Sequence, residues 1–296
     1  MERRAPGPLA LRRLAEGCES EPYRHLHIEP CAVTIGAEVG GVDLSRPLED
    51  EVFEELDRAL LEWKVLFFRD QPLEVGAHAG FAARWGPLFD DQLVPTHQEN
   101  PVDNLVVFER NEQTVGLENH WHCDGTFRRE PPMGTVLRAI EVPAVGGDTL
   151  FADMAAAYDA LPDGLKARLE GLMAVHDWSL GYADKYADRL DALRAEVPPA
   201  EHPVVRRHPV TGRRTLFVNR FFTREICGLP APESEALLER LCAQAELPEL
   251  QCRFRWRPGS MAFWDNQAVQ HYGASDYWPQ RRVMARASIA HRHPAS

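Results

Sequence analysis

Apolar residues recur along this chain in two rhythms, and the points where one gives way to the other mark its elements. Over 50–62 they fall at Val52, Phe53, Leu56, Leu60 and Leu61, three and four apart, which predicts an amphipathic helix. The unbroken run Val65-Leu66-Phe67-Phe68 that follows predicts a buried strand. Ahead of both, Ile28, Val33, Ile35, Ala37 and Val39 predict a strand pair ending at Gly40-Gly41. A second helix is expected over 76–85 and a compact strand over 105–109. Beyond Trp121 short strands alternate with turn residues, over 135–139, 149–151, 215–218, 252–256, 260–264 and 281–289. Helical spacing interrupts them over 154–161, 164–172 and 233–245. This rhythm predicts a mainly β fold with helical insertions, a double-stranded β-helix or jelly roll. Residues 1–24 lack a sustained period and read as a flexible leader, with a short helix conceivable around Leu9-Ala10-Leu11 and Leu14; residues 25–296 then form the folded domain.

Composition narrows the class of function. The chain has 296 residues, 44% hydrophobic and 26% charged, enough to bury a substantial core. A net charge of −12 opposes a long basic face, so nucleic acid is not an expected partner. No stretch is apolar enough to span a membrane, and the N-terminus lacks the apolar centre of a signal peptide. A soluble, cytoplasmic protein is expected. The six cysteines are scattered, without the paired spacing of a zinc ribbon, which fits reduced thiols.

The stretch Asn119-His120-Trp121-His122-Cys123-Asp124-Gly125 holds an H-x-D pair. On a strand this spacing projects His122 and Asp124 to one side, and His271, far downstream, can supply a third ligand from another strand. Two histidines and a carboxylate on one face, with open positions opposite, are diagnostic of non-haem iron(II) oxygenases. His120 faces the same way as His122 and competes with it, as a ligand or as a supporting donor; the spacing to Asp124 favours His122. Cys123 should point away and pack.

These motifs occur in an order that resembles the taurine dioxygenase family. It is carried by Trp121-His122-Cys123-Asp124-Gly125-Thr126-Phe127, Gly146-Gly147-Asp148-Thr149-Leu150-Phe151, Trp264-Asp265-Asn266 with His271, and Arg281-Arg282-Val283-Met284-Ala285-Arg286. The stretches over 35–44 and 65–71 extend it, so that it runs from about Ile28 to Ala290. The resemblance implies a double-stranded β-helix, Fe(II) held by His122, Asp124 and His271, and 2-oxoglutarate and O2 as co-substrates. Succinate and CO2 are then co-products, and a C–H bond of a small molecule is hydroxylated. Asp124 is unlike the small residue that stands at this position in related halogenases. The resemblance also assigns Thr149 and Arg282 to the distal carboxylate of 2-oxoglutarate and Arg286 to an anionic group of the primary substrate. Trp178 and Phe222 fall where the family has pocket walls, although core packing would explain them equally.

Alternation supports the anchors. On a strand over 281–289, Arg282, Met284, Arg286 and Ser288 share one side, and the two guanidinium groups sit about 13 Å apart, suited to two separate anions. Structural salt bridges are the alternative use of these arginines. The chain departs from taurine-cleaving members at Asp91 and Val94, where they carry histidine and tyrosine, and at Glu118, which replaces an asparagine. A taurine-like sulfonate fits such carboxylates poorly, whereas a zwitterion could set its anion on Arg286 and its cation near Asp91 or Glu118. The expected partner is thus a small anionic or zwitterionic molecule. A zinc-dependent hydrolase and a non-catalytic jelly-roll binding protein remain alternatives, and a homo-oligomer is compatible with the sheet architecture.

Overall fold

The amphipathic stretch around Leu56 becomes helix α1 (Asp50–Trp63), which buries Leu56, Ala59, Leu60 and Trp63. It stops at Lys64, whose φ of 66° lies in the left-handed region, and the chain turns directly into a fully buried strand. The computed structural model describes residues 8–89, 105–116, 118–188 and 190–293. Within them the strands are β1 (His27–Pro30), β2 (Ala37–Gly40), β3 (Val65–Phe68), β4 (Leu105–Arg110), β5 (Gly134–Glu141), β6 (Thr149–Asp153), β7 (Met173–His176) and β8 (Ala200–Pro203). They continue as β9 (Val205–Arg207), β10 (Arg214–Leu216), β11 (Thr223–Ile226), β12 (Gln251–Phe254), β13 (Met261–Asp265), β14 (Val269–Gly273) and β15 (Arg282–Ile289). The remaining helices are α2 (Val75–Ala83), α3 (Met154–Asp159), α4 (Asp163–Leu169), α5 (Ser179–Tyr182), α6 (Leu190–Glu196) and α7 (Ala231–Cys242).

The larger sheet has seven strands in the order β1-β2-β3-β13-β5-β15-β4, antiparallel except where β2 lies beside β3. A three-stranded sheet, β12-β6-β14, faces it. Aromatic rings join the two: Phe67 of β3 stacks on Phe254 of β12 at 4.1 Å, and Phe151 of β6 lies 5.6 Å from both Phe67 and Trp264 of β13. Helices α1 and α2 cover the outer face of the larger sheet, where Leu60, Phe81 and Trp85 pack on Phe68 and Phe263. Helices α3, α4 and α7 cover the smaller one. The result is a mixed α/β architecture with several sheets.

The principal predicted strands and helices are present, with ends moved by a few residues. Four short strands, β7, β8, β9 and β11, and helices α5 and α6 arise between 173 and 226, where neither period is sustained long enough to announce them. No helix forms around Leu9 to Leu14. Residues 8–24 run irregularly because side chains pin them: Leu9 and Leu11 pack beside α3 and α7, Arg13 pairs with Glu62 at 2.8 Å, and Ser20 and Tyr23 donate to the same carboxylate.

Lys64 joins these layers. Its buried ammonium donates to the carbonyl oxygens of Arg13, Thr34 and Glu62 and sits 3.3 Å from Asp153, whose other oxygen caps α3 through the amides of Ala155 and Ala156. Burial pulls the Lys64 pKa down, and Asp153 opposes that pull. Removing one partner of such a pair strands a buried charge, which costs about 3–5 kcal/mol. Lys64→Met should lower the urea-unfolding midpoint correspondingly; a midpoint equal to the parent's would show that the pair does not hold the layers together.

Two other buried groups contribute to the acid limit. Burial pushes His78, which donates to Val136 O, down to about 4, and His176, crowded by His202 and Arg206, down to about 3. In the unfolded chain both take a proton near pH 6.5, which the folded chain refuses until well below it. Stability is therefore full above about pH 6.5 and falls as pH drops, by up to about 1.4 kcal/mol per pH unit for each histidine. Urea titrations between pH 7.5 and 5 should record this slope, and His78→Gln should flatten it by the equivalent of one proton.

Candidate active site

Strand register places the chemistry. β6 and β14 pair so that Phe151 lies opposite His271 and Thr149 opposite Gly273, and alternation then turns Thr149 and His271 to the same inner face. On the larger sheet, Arg282, Arg286 and Ser288 alternate along β15 towards that face, and Leu137 projects beside them from β5. Between the sheets lies a cavity of about 340 Å³ lined from both.

The H-x-D pair is not carried by a regular strand. His122 forms a single bridge to His271, each main-chain amide donating to the other's carbonyl at 3.1 and 2.8 Å, and the chain turns at Asp124. The turn suffices: Oδ1 of Asp124 lies 3.8 Å from Nε2 of His122 and 3.8 Å from Nε2 of His271. All three ligand atoms fall within 4.8 Å of one another, and among the described residues this is the one cluster of three or more such side chains able to hold a metal. His122 Nδ1 meets the carbonyl oxygen of His120 at 2.7 Å, which makes Nδ1 the protonated nitrogen and leaves Nε2 a lone pair for a metal. That carbonyl is the contribution of His120; its ring stacks on Phe221 at 5.1 Å. Burial, with His122 adding to it, pushes His271 down to about 3, so its imidazole is neutral and able to ligate. Burial opposes ionisation of Asp124, but His271, Arg286 and His122 and a hydrogen bond from Thr135 outweigh it and hold the carboxyl below its usual range. A donor set of two imidazoles and one carboxylate fits a divalent transition metal and leaves further positions for other ligands. Cys123 packs away from the cluster, its thiol donating to Asn266 O.

Arg282 is buried, and its Nε has no hydrogen-bond partner. Burial pulls its pKa down while Tyr277 and Glu118 act to raise it, and its guanidinium lies over the Tyr277 ring at 5.7 Å. The adjoining turn needs glycine. Gly147 has a φ of 72°, its amide donates to Asp276, and a Cβ there would press on Tyr277 at 3.1 Å. The Thr149 hydroxyl oxygen accepts from Trp256 Nε1 at 2.9 Å, so its own proton is left to donate. Arg286 reaches to 3.9 Å from Asp124 Oδ1, beside the metal cluster.

Glu118 lines the cavity, but its carboxylate accepts from the Arg110 guanidinium, which together with Arg282 holds it ionised against burial. Both Arg110 nitrogens donate to the same oxygen, Oε1, so the charge of Glu118 is already paired where it faces the cavity. Asp91 and Val94 lie outside the described residues. Trp178 and Phe222 are buried and line the cavity, Trp178 fixed by its indole nitrogen donating to Val197 O. Sequence reasoning missed their neighbours Phe127, Phe221, Tyr182, Tyr186 and Arg128, which complete an aromatic wall with a cation over Phe127 and Phe89. The recurrence of Trp178, Tyr182 and Tyr186 every four residues was an available signal.

Comparison with known proteins agrees with this geometry. The family model described as Taurine catabolism dioxygenase TauD, TfdA family matches residues 27–288. The chain is 36% identical over 280 residues to the alpha-ketoglutarate-dependent sulfate ester dioxygenase of Pseudomonas putida, covering 91% of each protein. It is 36% identical over 273 residues to the (S)-phenoxypropionate/alpha-ketoglutarate-dioxygenase of Sphingobium herbicidovorans, covering 89% of this chain and 94% of that one. A solved structure of a taurine dioxygenase from Burkholderia xenovorans aligns with a TM-score of 0.79 at 33% identity, over 92% of this chain and 93% of that one. With its His-x-Asp and distal histidine gathered at one point and the family model running through the strands that gather them, the chain belongs to the TauD/TfdA family of 2-oxoglutarate-dependent dioxygenases and is an oxidoreductase.

Proposed function

We propose that the metal is Fe(II) and that the enzyme hydroxylates a C–H bond of a small, amine-free anion with an apolar body, such as a sulfate ester or an aryloxyalkanoate. The observation that carries the substrate reading is Arg286, set 3.9 Å from the metal carboxylate in a cavity that has one aromatic wall. A guanidinium there fixes an anionic head beside the reacting centre, and Phe127, Trp178, Tyr182 and Phe222 receive a carbon body and exclude water. Sulfate esters and phenoxypropionate, named for two of the relatives, are both anions attached to carbon groups. Glu118 already shares its charge with Arg110 and Arg282, so an ammonium would have to compete with two guanidinium groups for it, which disfavours taurine and a zwitterion.

Within this reading Arg282 and Thr149 hold the distal carboxylate of 2-oxoglutarate, a buried cation and a free hydroxyl proton matching a planar anion. His122, Asp124 and His271 hold the metal, which when bound supplies O2 activation coupled to oxidative decarboxylation of 2-oxoglutarate to succinate and CO2. Where the hydroxylated carbon also bears the sulfate or aryloxy oxygen, the product collapses to a carbonyl compound and releases that group. The facing sheets support a double-stranded β-helix as the finer description of the fold. Family membership sets aside the zinc-hydrolase and non-catalytic readings, neither of which needs Arg282 with Thr149.

Anaerobic addition of iron(II) and 2-oxoglutarate should produce the weak visible absorption of a ferrous 2-oxoglutarate chelate; metal-loaded, folded protein without that band would defeat the assignment. Arg282→Met should weaken 2-oxoglutarate binding by about 2–5 kcal/mol. Arg286→Met should keep the band but lose the succinate formation stimulated by alkyl sulfates or aryloxyalkanoates. Stimulation by taurine equal to that by these anions would remove the substrate reading.

A further inference from the structure

The two oxygens of Asp124 are in different situations. Oδ1 faces both histidine Nε2 atoms at 3.8 Å, while Oδ2 accepts the Thr135 hydroxyl at 3.0 Å. Thr135 stands on β5 opposite Trp264 of β13 and Ser288 of β15, wholly shielded from solvent. The main chain of Asp124 is fixed separately. Its amide donates to Asn266 Oδ1 at 2.9 Å, and Asn266 Nδ2 donates to the carbonyl oxygens of Asp124 at 2.8 Å and Pro132 at 3.0 Å. Asn266 is held in turn by its own amide donating to Met133 O, and the preceding Asp265 by His208 at 2.7 Å.

With the backbone clamped, what remains free at Asp124 is rotation of its carboxylate, and the Thr135 hydroxyl is placed to stop it. A carboxylate oxygen buried without a partner is costly, so Oδ2 released from Thr135 would turn to a positive charge, either a bound metal or Arg286, which lies 3.9 Å from Oδ1. We propose that Thr135 is a positioning residue that keeps Asp124 a one-oxygen ligand, holding Oδ2 so that Oδ1 alone is presented to the metal and the position a two-oxygen carboxylate would occupy stays available to the co-substrates. This rests on the metal assignment proposed above.

The test compares Thr135→Val, which keeps the shape and removes the donor, with Thr135→Ser, which keeps the donor. Apo-protein is titrated with Co(II), followed by its visible spectrum, and then with 2-oxoglutarate. The valine variant should show an altered Co(II) spectrum, metal affinity changed about 10- to 100-fold and 2-oxoglutarate affinity lowered on a similar scale, with the serine variant close to the parent. A packing role alone would lower the thermal midpoint of the serine variant, which loses a buried methyl group, and leave the valine variant with the parent's spectrum, which would count against the proposal. Valine and parent proteins with the same spectrum and the same 2-oxoglutarate affinity would overturn the role of Thr135. A parent that itself gives no metal-dependent 2-oxoglutarate binding would instead overturn the metal assignment. Should the valine variant not fold, Thr135→Ala removes the hydroxyl without placing a methyl group against the carboxylate and is read in the same way.

Discussion

Two reciprocal hydrogen bonds between the main chains of His122 and His271 determine where everything else in the site can be. They connect a turn to the edge strand β14, and that strand is registered by the central strand β6, which brings Thr149 to the same face. Metal ligands drawn from distant parts of a chain have to be held at near-bonding separation before any metal arrives, against their mutual desolvation. Here the backbone does this work, because a two-bond bridge fixes both Cα positions at once, and the side chains need only choose rotamers. The Asn266 clamp extends the same principle to Asp124.

The electrostatics of the cavity follow from burying guanidinium groups in it. Arg282 and Arg110 share the charge of Glu118, and Arg286 lies beside Asp124. Neither arrangement leaves a surplus carboxylate to welcome a cation. Buried guanidinium groups are stable only where an anion or a polar oxygen meets them, so a wall built this way favours anionic guests. The aromatic side of the cavity then decides what may be attached to the anion.

Much of this was legible in the sequence, for identifiable reasons. The H-x-D spacing, the alternation of Arg282 and Arg286 and the apolar runs of β3 and β13 are local signals that tertiary structure had no cause to override. The regular strand expected at His122 was wrong because the spacing is equally satisfied by one bridge and a turn. The fate of Glu118 was not legible, because its partner Arg110 belongs to a different strand pairing and nothing in a linear pattern couples them. The region between 173 and 226 resisted reading since its strands have only three or four residues, too short to express a period.

The aromatic wall has a particular provenance. Trp178, Tyr182, Tyr186 and Leu193 come from the short-helix region between β7 and β8, and Phe127, Phe221 and Phe222 from two turns, whereas the ligands and anion anchors come from paired strands and the turn bridged to them. Residues on paired strands cannot be inserted or deleted singly without shifting a register or forming a bulge. Those on the helical stretch can, since they meet the rest of the site through side chains alone. A change of length in the short-helix region therefore reshapes one side of the wall while the oxidising centre keeps its register.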